Sequence, residues 1–66
     1  MNVIVNGNGR DLPAGTSLAG LLESLGLAGA RVVVEVNGAV IGRPRHASTA
    51  VREGDRVEIV RLVGGG

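Results

Sequence analysis

The apolar residues of this chain follow two spacings, and the change from one to the other predicts the order of its elements. Runs of β-branched residues at 2–6, 31–38 and 56–63 predict strands. Between the first two runs, leucines at i, i+3, i+4 and i+7 predict an amphipathic helix of about ten residues, starting near Leu18. Thr16 or Ser17 is placed to cap this helix, and Gly26 to end it in the left-handed conformation.

Turn residues divide the strands into hairpins. The segment GNGR at 7–10 predicts a tight turn, followed by a brief strand at 10–12 that Pro13 stops. Asn37-Gly38 predicts a second hairpin that returns along 39–42, and a polar loop and a turn at 53–55 precede the last strand. This order predicts an α+β domain, a mixed four- to five-stranded sheet with one helix packed across one face. The first strand is expected to lie parallel to the last.

The strands differ in the burial that their patterns predict. The nearly continuous valines of 31–38 predict a strand buried on more than one side. In the last strand, Val57 and Ile59 are expected to point to the core, and Glu58, Val60 and Leu62 to the opposite face. Because one helix covers only one face, we expect Val60 and Leu62 to be exposed. They form either a docking patch or two isolated apolar residues that need no explanation.

The residue types that this chain lacks exclude several classes of function. The 66 residues suffice for one small domain, and a core without Phe, Trp or Tyr must be aliphatic. The chain has no Cys, so it offers no thiol nucleophile or thiolate metal site. Scattered arginines without aromatic residues disfavour nucleic-acid binding. Neither a spanning apolar run nor a signal peptide is evident, so no membrane association and a cytoplasmic location are expected.

Side chains with catalytic potential are few, and each has a simpler structural interpretation. His46 lies in a polar loop beside two arginines, without a carboxylate nearby in sequence, and is interpreted as an ordinary loop residue. Glu53, Asp55 and Glu58 cluster around the last turn. They are interpreted as a solvated turn in which Asp55 bonds its own backbone, the alternative being an acidic patch facing a partner. No metal ligands are assigned.

The chain ends in three glycines directly after a strand-like segment. Residues without Cβ let an extended backbone enter a narrow channel, so that a terminal carboxylate can reach an active site in another protein. A carboxylate that attacks the α-phosphate of ATP gives an acyl-adenylate, which is open to attack by sulfur or amine. Frayed terminal glycines without a function are the alternative.

The order of elements together with this ending resembles the β-grasp, ubiquitin-like fold, and more narrowly the ThiS-like sulfur carriers of bacterial thiamine biosynthesis. The matching segments span nearly the whole chain: VIVNG, PAGTSLAGLLESLGL, VVVEVNGAVIGRPRH and VREGDRVEIVRLVGGG. The resemblance implies a single β-grasp domain at 1–63 and a flexible C-terminal glycine tail at 64–66. His46 lies near the position where a bulky aromatic residue is expected in that family.

The resemblance also implies a function centred on the final glycine, here Gly66. An E1-like adenylyltransferase of the ThiF type would adenylate its carboxylate with ATP, and sulfur from a donor protein would convert it to a thiocarboxylate. A ThiG-like thiazole synthase would then receive the sulfur. The chain would be a protein co-substrate rather than an enzyme, with no bound cofactor. Its expected partner-binding residues are Gly64, Gly65, Val60, Leu62 and Glu58.

Two other functions stay open at this point. One is the same chemistry in another pathway, such as a MoaD-like carrier for molybdopterin. The other is a β-grasp binding module whose glycine tail is inert.

Overall fold

The chain folds as a five-stranded mixed sheet with one helix across one face, as the pattern predicts. The computed structural model describes residues 1–63, and the predicted glycine tail at 64–66 lies outside them. The elements are β1 (Asn2–Val5), β2 (Asn8–Asp11), α1 (Leu18–Ser24), β3 (Val32–Val36), β4 (Ala39–Ile41) and β5 (Arg56–Arg61). The strand order is β2-β1-β5-β3-β4. The pair β1–β5 is parallel, as expected, and all other neighbours are antiparallel.

The core lies between the sheet and α1 and is wholly aliphatic. The leucine spacing places Leu18, Leu21 and Leu22 on the buried side of α1. They pack against the inward side chains of the strands and of two connecting segments, namely Val3, Val5, Leu12, Val34, Val51, Val57 and Ile59. Burial of these side chains contributes roughly 1.5–3 kcal/mol each, which makes the core the main source of stability.

The backbone amides in the first turn of α1 are hydrogen-bonded by its N-cap residue and by the polar loop between Pro44 and the last strand. Ser17 is the N-cap, and its hydroxyl accepts a hydrogen bond from the Gly20 amide at 3.0 Å. The amides of Leu18 and Ala19 donate to the carbonyls of Thr49 and His46. The loop therefore satisfies amides that a helix end cannot pair internally. Helix α1 has seven residues, shorter than expected, and Gly26 follows it with φ +73° as predicted.

The first hairpin turns earlier than its sequence predicts. Asn6 and Gly7 have φ values of +49° and +81°, and the residues that follow them, Asn8 and Gly9, already belong to β2. The prediction of a turn at 7–10 was therefore wrong in position. Of the two consecutive Asn-Gly pairs, the structure uses the first, whose left-handed pair of residues matches the twist of the strands. The second hairpin turns at Asn37-Gly38 as predicted, with φ values of +51° and +87°.

The valine run of β3 is less buried than expected. Val34 alone in this strand is fully buried, at 1% exposure, whereas Val32, Val33 and Val36 are partly buried. The prediction of burial on more than one side is confirmed only in part, because α1 covers one face and Val33, on the other face, is partly buried.

Candidate functional site

Strand β5 occupies the centre of the sheet, and its last residue, Arg61, is followed by Leu62, Val63 and then the three glycines. It pairs with β3 at five positions, from Val57 to Arg61, but with β1 at only two. Beyond the strand, the Leu62 amide donates to the carbonyl of Arg31 at 2.8 Å. The segment that carries the tail is therefore held mainly from the β3 side.

On the β1 side, the side chain of Asn6 continues the pairing after β1 has turned away. Its Oδ1 accepts from the Ile59 amide at 2.7 Å, and its Nδ2 donates to the Ile59 carbonyl at 3.2 Å. The backbone of Asn6 donates to the Val57 carbonyl at 2.9 Å. The amide side chain thus takes the place that a further strand residue would occupy beside β5.

The second turn asparagine holds the beginning of β5 in a related way. Asn37 Oδ1 accepts from the Arg56 amide at 2.9 Å, and Asn37 Nδ2 donates to Asp55 Oδ1 at 3.0 Å. The other oxygen of Asp55 accepts from the Arg52 amide at 2.8 Å. The interpretation of Asp55 as a residue that bonds its own turn is therefore confirmed.

Sequence reasoning assigned Asn6 and Asn37 to their turns but missed their contacts with β5. An available signal was the recurrence of Asn-Gly at the end of two strands that both neighbour β5. Gly and Asp also tolerate such turns, but only Asn offers both a donor and an acceptor in its side chain.

The face of the sheet opposite α1 is uncovered, and we call it the open sheet face. Its central residues form the cross-strand pairs Val33–Val60 and Glu35–Glu58. Val60 is 55% exposed, as expected, and Glu58 is also exposed. Further exposed apolar residues of this face are Ile4 and Val40. A role of Val60 or Glu58 in partner binding stays a prediction.

Leu62 is exposed, at 49%, but lies beyond the end of β5 and lines a different surface. This surface is a groove beside α1, which we call the helix-side groove. It encloses about 400 Å³, and its lining includes Ala19 and Leu22 of α1. The expectation that Leu62 shares a face with Val60 is therefore wrong, because the alternation of the strand stops at Arg61. A role of Leu62 in binding also stays a prediction, and Gly64, Gly65 and Gly66 lie outside the described residues.

The remaining titratable candidates have structural contacts. His46 is 6% exposed, and its Nε2 lies 2.8 Å from the Ile41 carbonyl, so that nitrogen carries a proton and donates. The loop histidine is thus buried rather than solvated, near the position where the family resemblance implies a bulky aromatic residue. Glu53 accepts from the Asn2 amide at 3.0 Å. Within residues 1–63, no group of three or more His, Cys, Asp or Glu side chains could hold a metal ion.

A central parallel pair, two flanking hairpins and one helix across one face define a β-grasp domain. The ThiS family model matches residues 3–66, so the chain belongs to the ThiS family. In the described part of the chain, no helix is long and apolar enough to cross a membrane.

Two solved structures resemble the chain over its whole length. The crystal structure of the thiamine biosynthesis protein ThiS from Geobacter metallireducens has 38% sequence identity and a TM-score of 0.84, and the match covers 100% of both chains. The NMR structure of a thiamine biosynthesis protein from the same organism has 38% identity and a TM-score of 0.80, with 88% of that chain covered. These similarities confirm the β-grasp fold.

Curated relatives carry a similar segment within longer proteins. A protein named thiazole synthase from Magnetococcus marinus is 41% identical over 66 residues, and one of the same name from Paramagnetospirillum magneticum is 36% identical. All of this chain is covered in both matches, but the chain spans only 20% of the length of each relative.

Proposed function

We propose that this chain is a sulfur carrier protein of thiamine biosynthesis whose working group is the carboxylate of Gly66. The observation that carries the proposal is the family match, which runs through all three terminal glycines to residue 66. The names of the solved relatives support the thiamine pathway over molybdopterin.

The chemistry begins with activation of the carboxylate by a ThiF-like, E1-like adenylyltransferase. The Gly66 carboxylate attacks the α-phosphate of ATP, forming an acyl-adenylate and releasing pyrophosphate. A sulfur nucleophile at the oxidation level of sulfide, supplied through a donor protein, then attacks the acyl carbon and expels AMP. The product is a thiocarboxylate, which a thiazole synthase uses as its sulfur source.

The fold supports this role by holding the base of the tail in place. Three residues span at most about 10–11 Å when fully extended, so an active site that reaches Gly66 must approach closely to Val63. Val63 is 91% exposed, and it follows a segment that is paired to β3 and bonded by Asn6. A fixed base reduces the conformational freedom that is lost when an enzyme binds the tail.

Intact-mass analysis tests the proposal directly. The chain is incubated with the E1-like enzyme of the same organism, ATP and a sulfur donor, and we expect one oxygen to be replaced by sulfur at Gly66. ATP–pyrophosphate exchange that depends on the chain reports the adenylation step separately. If the enzyme adenylates another carrier but leaves this chain unchanged, the proposal is wrong and a non-catalytic binding module is favoured.

A deletion of Gly65 and Gly66 provides the matched control. We expect this variant to keep the far-UV circular dichroism spectrum and melting temperature of the parent chain, because the described core and sheet lie within residues 1–63. It should lose both pyrophosphate exchange and mass gain. Loss of folding in the deletion variant would contradict the division between a folded domain and a reactive tail.

A further inference from the structure

The helix-side groove combines apolar walls with positive charge, and the proposed function does not use it. Its apolar wall includes Leu22, Leu27 and Leu62, and its charged residues are Arg31 and Arg43. None of the described residues that line it is acidic. The centre of the open sheet face differs in charge, since Glu35 and Glu58 lie directly opposite each other there and Arg56 is the one arginine beside them.

His46 adds a hydrogen-bond acceptor to this groove. Its Nε2 donates to the Ile41 carbonyl, so in the neutral ring the other nitrogen, Nδ1, is an acceptor. Within residues 1–63, Nδ1 of His46 has no hydrogen-bond partner. In the same residues, every fully buried side-chain nitrogen or oxygen of a non-exposed residue does have a partner. Nδ1 is therefore not fully buried, and His46 is one of the residues that line the groove.

These groups match the chemistry of a peptide better than that of a small anion. A peptide segment can place an apolar side chain against the leucines, a carboxylate beside the arginines and a backbone N–H on Nδ1 of His46. An inorganic anion would satisfy only the arginines and would leave the apolar wall exposed to water.

The position of the groove indicates which protein supplies this segment. Leu62 lines the groove and lies four residues before Gly66, so an enzyme that binds Gly66 approaches the groove closely. The relatives named thiazole synthase contain a similar segment within one polypeptide, which links this domain to that enzyme.

We propose that the helix-side groove is a docking surface for an acidic segment of the thiazole synthase that carries one apolar anchor side chain. This inference rests on the proposed function. It assigns to the groove a contact that is separate from the open sheet face, so the two surfaces can be tested independently.

Two charge reversals in the same short turn provide the test. Arg43 lines the groove, whereas Arg45 belongs to the same turn of three residues but does not line it. Both side chains are exposed, and neither has a hydrogen bond to another described residue, so both variants should fold. We expect Arg43→Glu to weaken binding of the thiazole synthase about tenfold or more, and Arg45→Glu to change it less than about twofold. The affinity of the parent chain should also fall as salt is raised.

Hydrogen–deuterium exchange locates the contact. Bound synthase should slow exchange of backbone amides at 28–32 and at Arg43, His46 and Ala47, which line the groove. Protection confined to the open sheet face, or equal effects of the two reversals, would overturn the inference. Protection of the groove by inorganic phosphate alone would also overturn it, in favour of a small-anion site.

Adenylation separates this inference from the proposed function. Arg43→Glu should still support chain-dependent pyrophosphate exchange and thiocarboxylate formation. If the thiocarboxylate forms but the synthase binds Arg43→Glu as tightly as the parent chain, only the groove inference is wrong. If no thiocarboxylate forms on the parent chain, the proposed function itself is wrong.

Discussion

Replacement of Asn6 in the first turn should lower the stability of the domain more than replacement of the exposed asparagine in β1 or in β2. Its side chain makes two hydrogen bonds with the backbone of Ile59, and its backbone is left-handed at φ +49°. Asn6→Gly removes the two bonds but keeps a residue that adopts this conformation readily. Asn6→Ala removes the same bonds and also places a Cβ in the left-handed region.

The magnitudes follow from these two contributions. Each partly buried hydrogen bond contributes about 0.5–1.5 kcal/mol net, so Asn6→Gly should cost about 1–3 kcal/mol. A left-handed alanine costs roughly 1–2 kcal/mol, which is partly offset because glycine gains about 0.4–1 kcal/mol of entropy in the unfolded chain. Asn6→Ala should therefore be less stable than Asn6→Gly by about 1 kcal/mol. These losses are large beside a total of roughly 3–10 kcal/mol for a domain of this size.

Urea denaturation followed by far-UV circular dichroism measures these losses, since the chain has no Trp or Tyr for fluorescence. Asn8→Ala is the matched control, because Asn8 is exposed in the edge strand β2. It should change the free energy of unfolding by less than about 0.5 kcal/mol. If Asn6→Gly were as stable as the parent chain, or if Asn6→Ala matched Asn8→Ala, the side chain of Asn6 would not stabilise β5.

Two further predictions concern the core and the helix cap. Leu21→Ala should lower the free energy of unfolding by about 2–5 kcal/mol because Leu21 is 0% exposed. Val63→Ala, at a 91% exposed position, should lower it by less than about 0.5 kcal/mol. Equal urea midpoints for the two variants would contradict the assigned core. Ser17→Ala should cost about 1 kcal/mol by leaving the Gly20 amide without its acceptor, and Thr16→Ala should cost less because its hydroxyl only donates to the exposed Pro13 carbonyl. Melting temperatures of the two variants in the reverse order would identify Thr16 as the cap.

The sequence predicted the elements and their order because each has a local signal. The leucine spacing of α1, the alternation of β5 and the turn at Asn37-Gly38 depend on residues close in the chain, and all three are confirmed. The first turn was misplaced because Asn6-Gly7 and Asn8-Gly9 carry the same local signal. Pairing with β5, which is distant in sequence, distinguishes them, since Asn6 in the turn can bond Ile59.

The candidate site was less accessible to sequence reasoning because its surfaces combine distant segments. The alternation of β5 correctly placed Val60 on an exposed face, but it says nothing about Leu62 once the strand has ended. The helix-side groove joins one side of α1, the segment before β3 and the turn at Arg43, which no local pattern connects. His46 similarly has no local signal for burial, because its contact with Ile41 depends on how the loop folds back.

We expect the unequal pairing of β5 to separate the stability of the domain from the proposed adenylation of its C-terminal glycine. Five register positions with β3 hold the strand, against two with β1, and the Leu62 amide is bonded on the β3 side as well. Loss of the Asn6 side chain should therefore destabilise the fold without moving the segment before Gly64. We expect Asn6→Gly to remain a substrate for adenylation at temperatures where it is folded, whereas deletion of Gly65 and Gly66 gives a stable chain that is inert. If folded Asn6→Gly were also inert, the β1 side would be needed to present the tail.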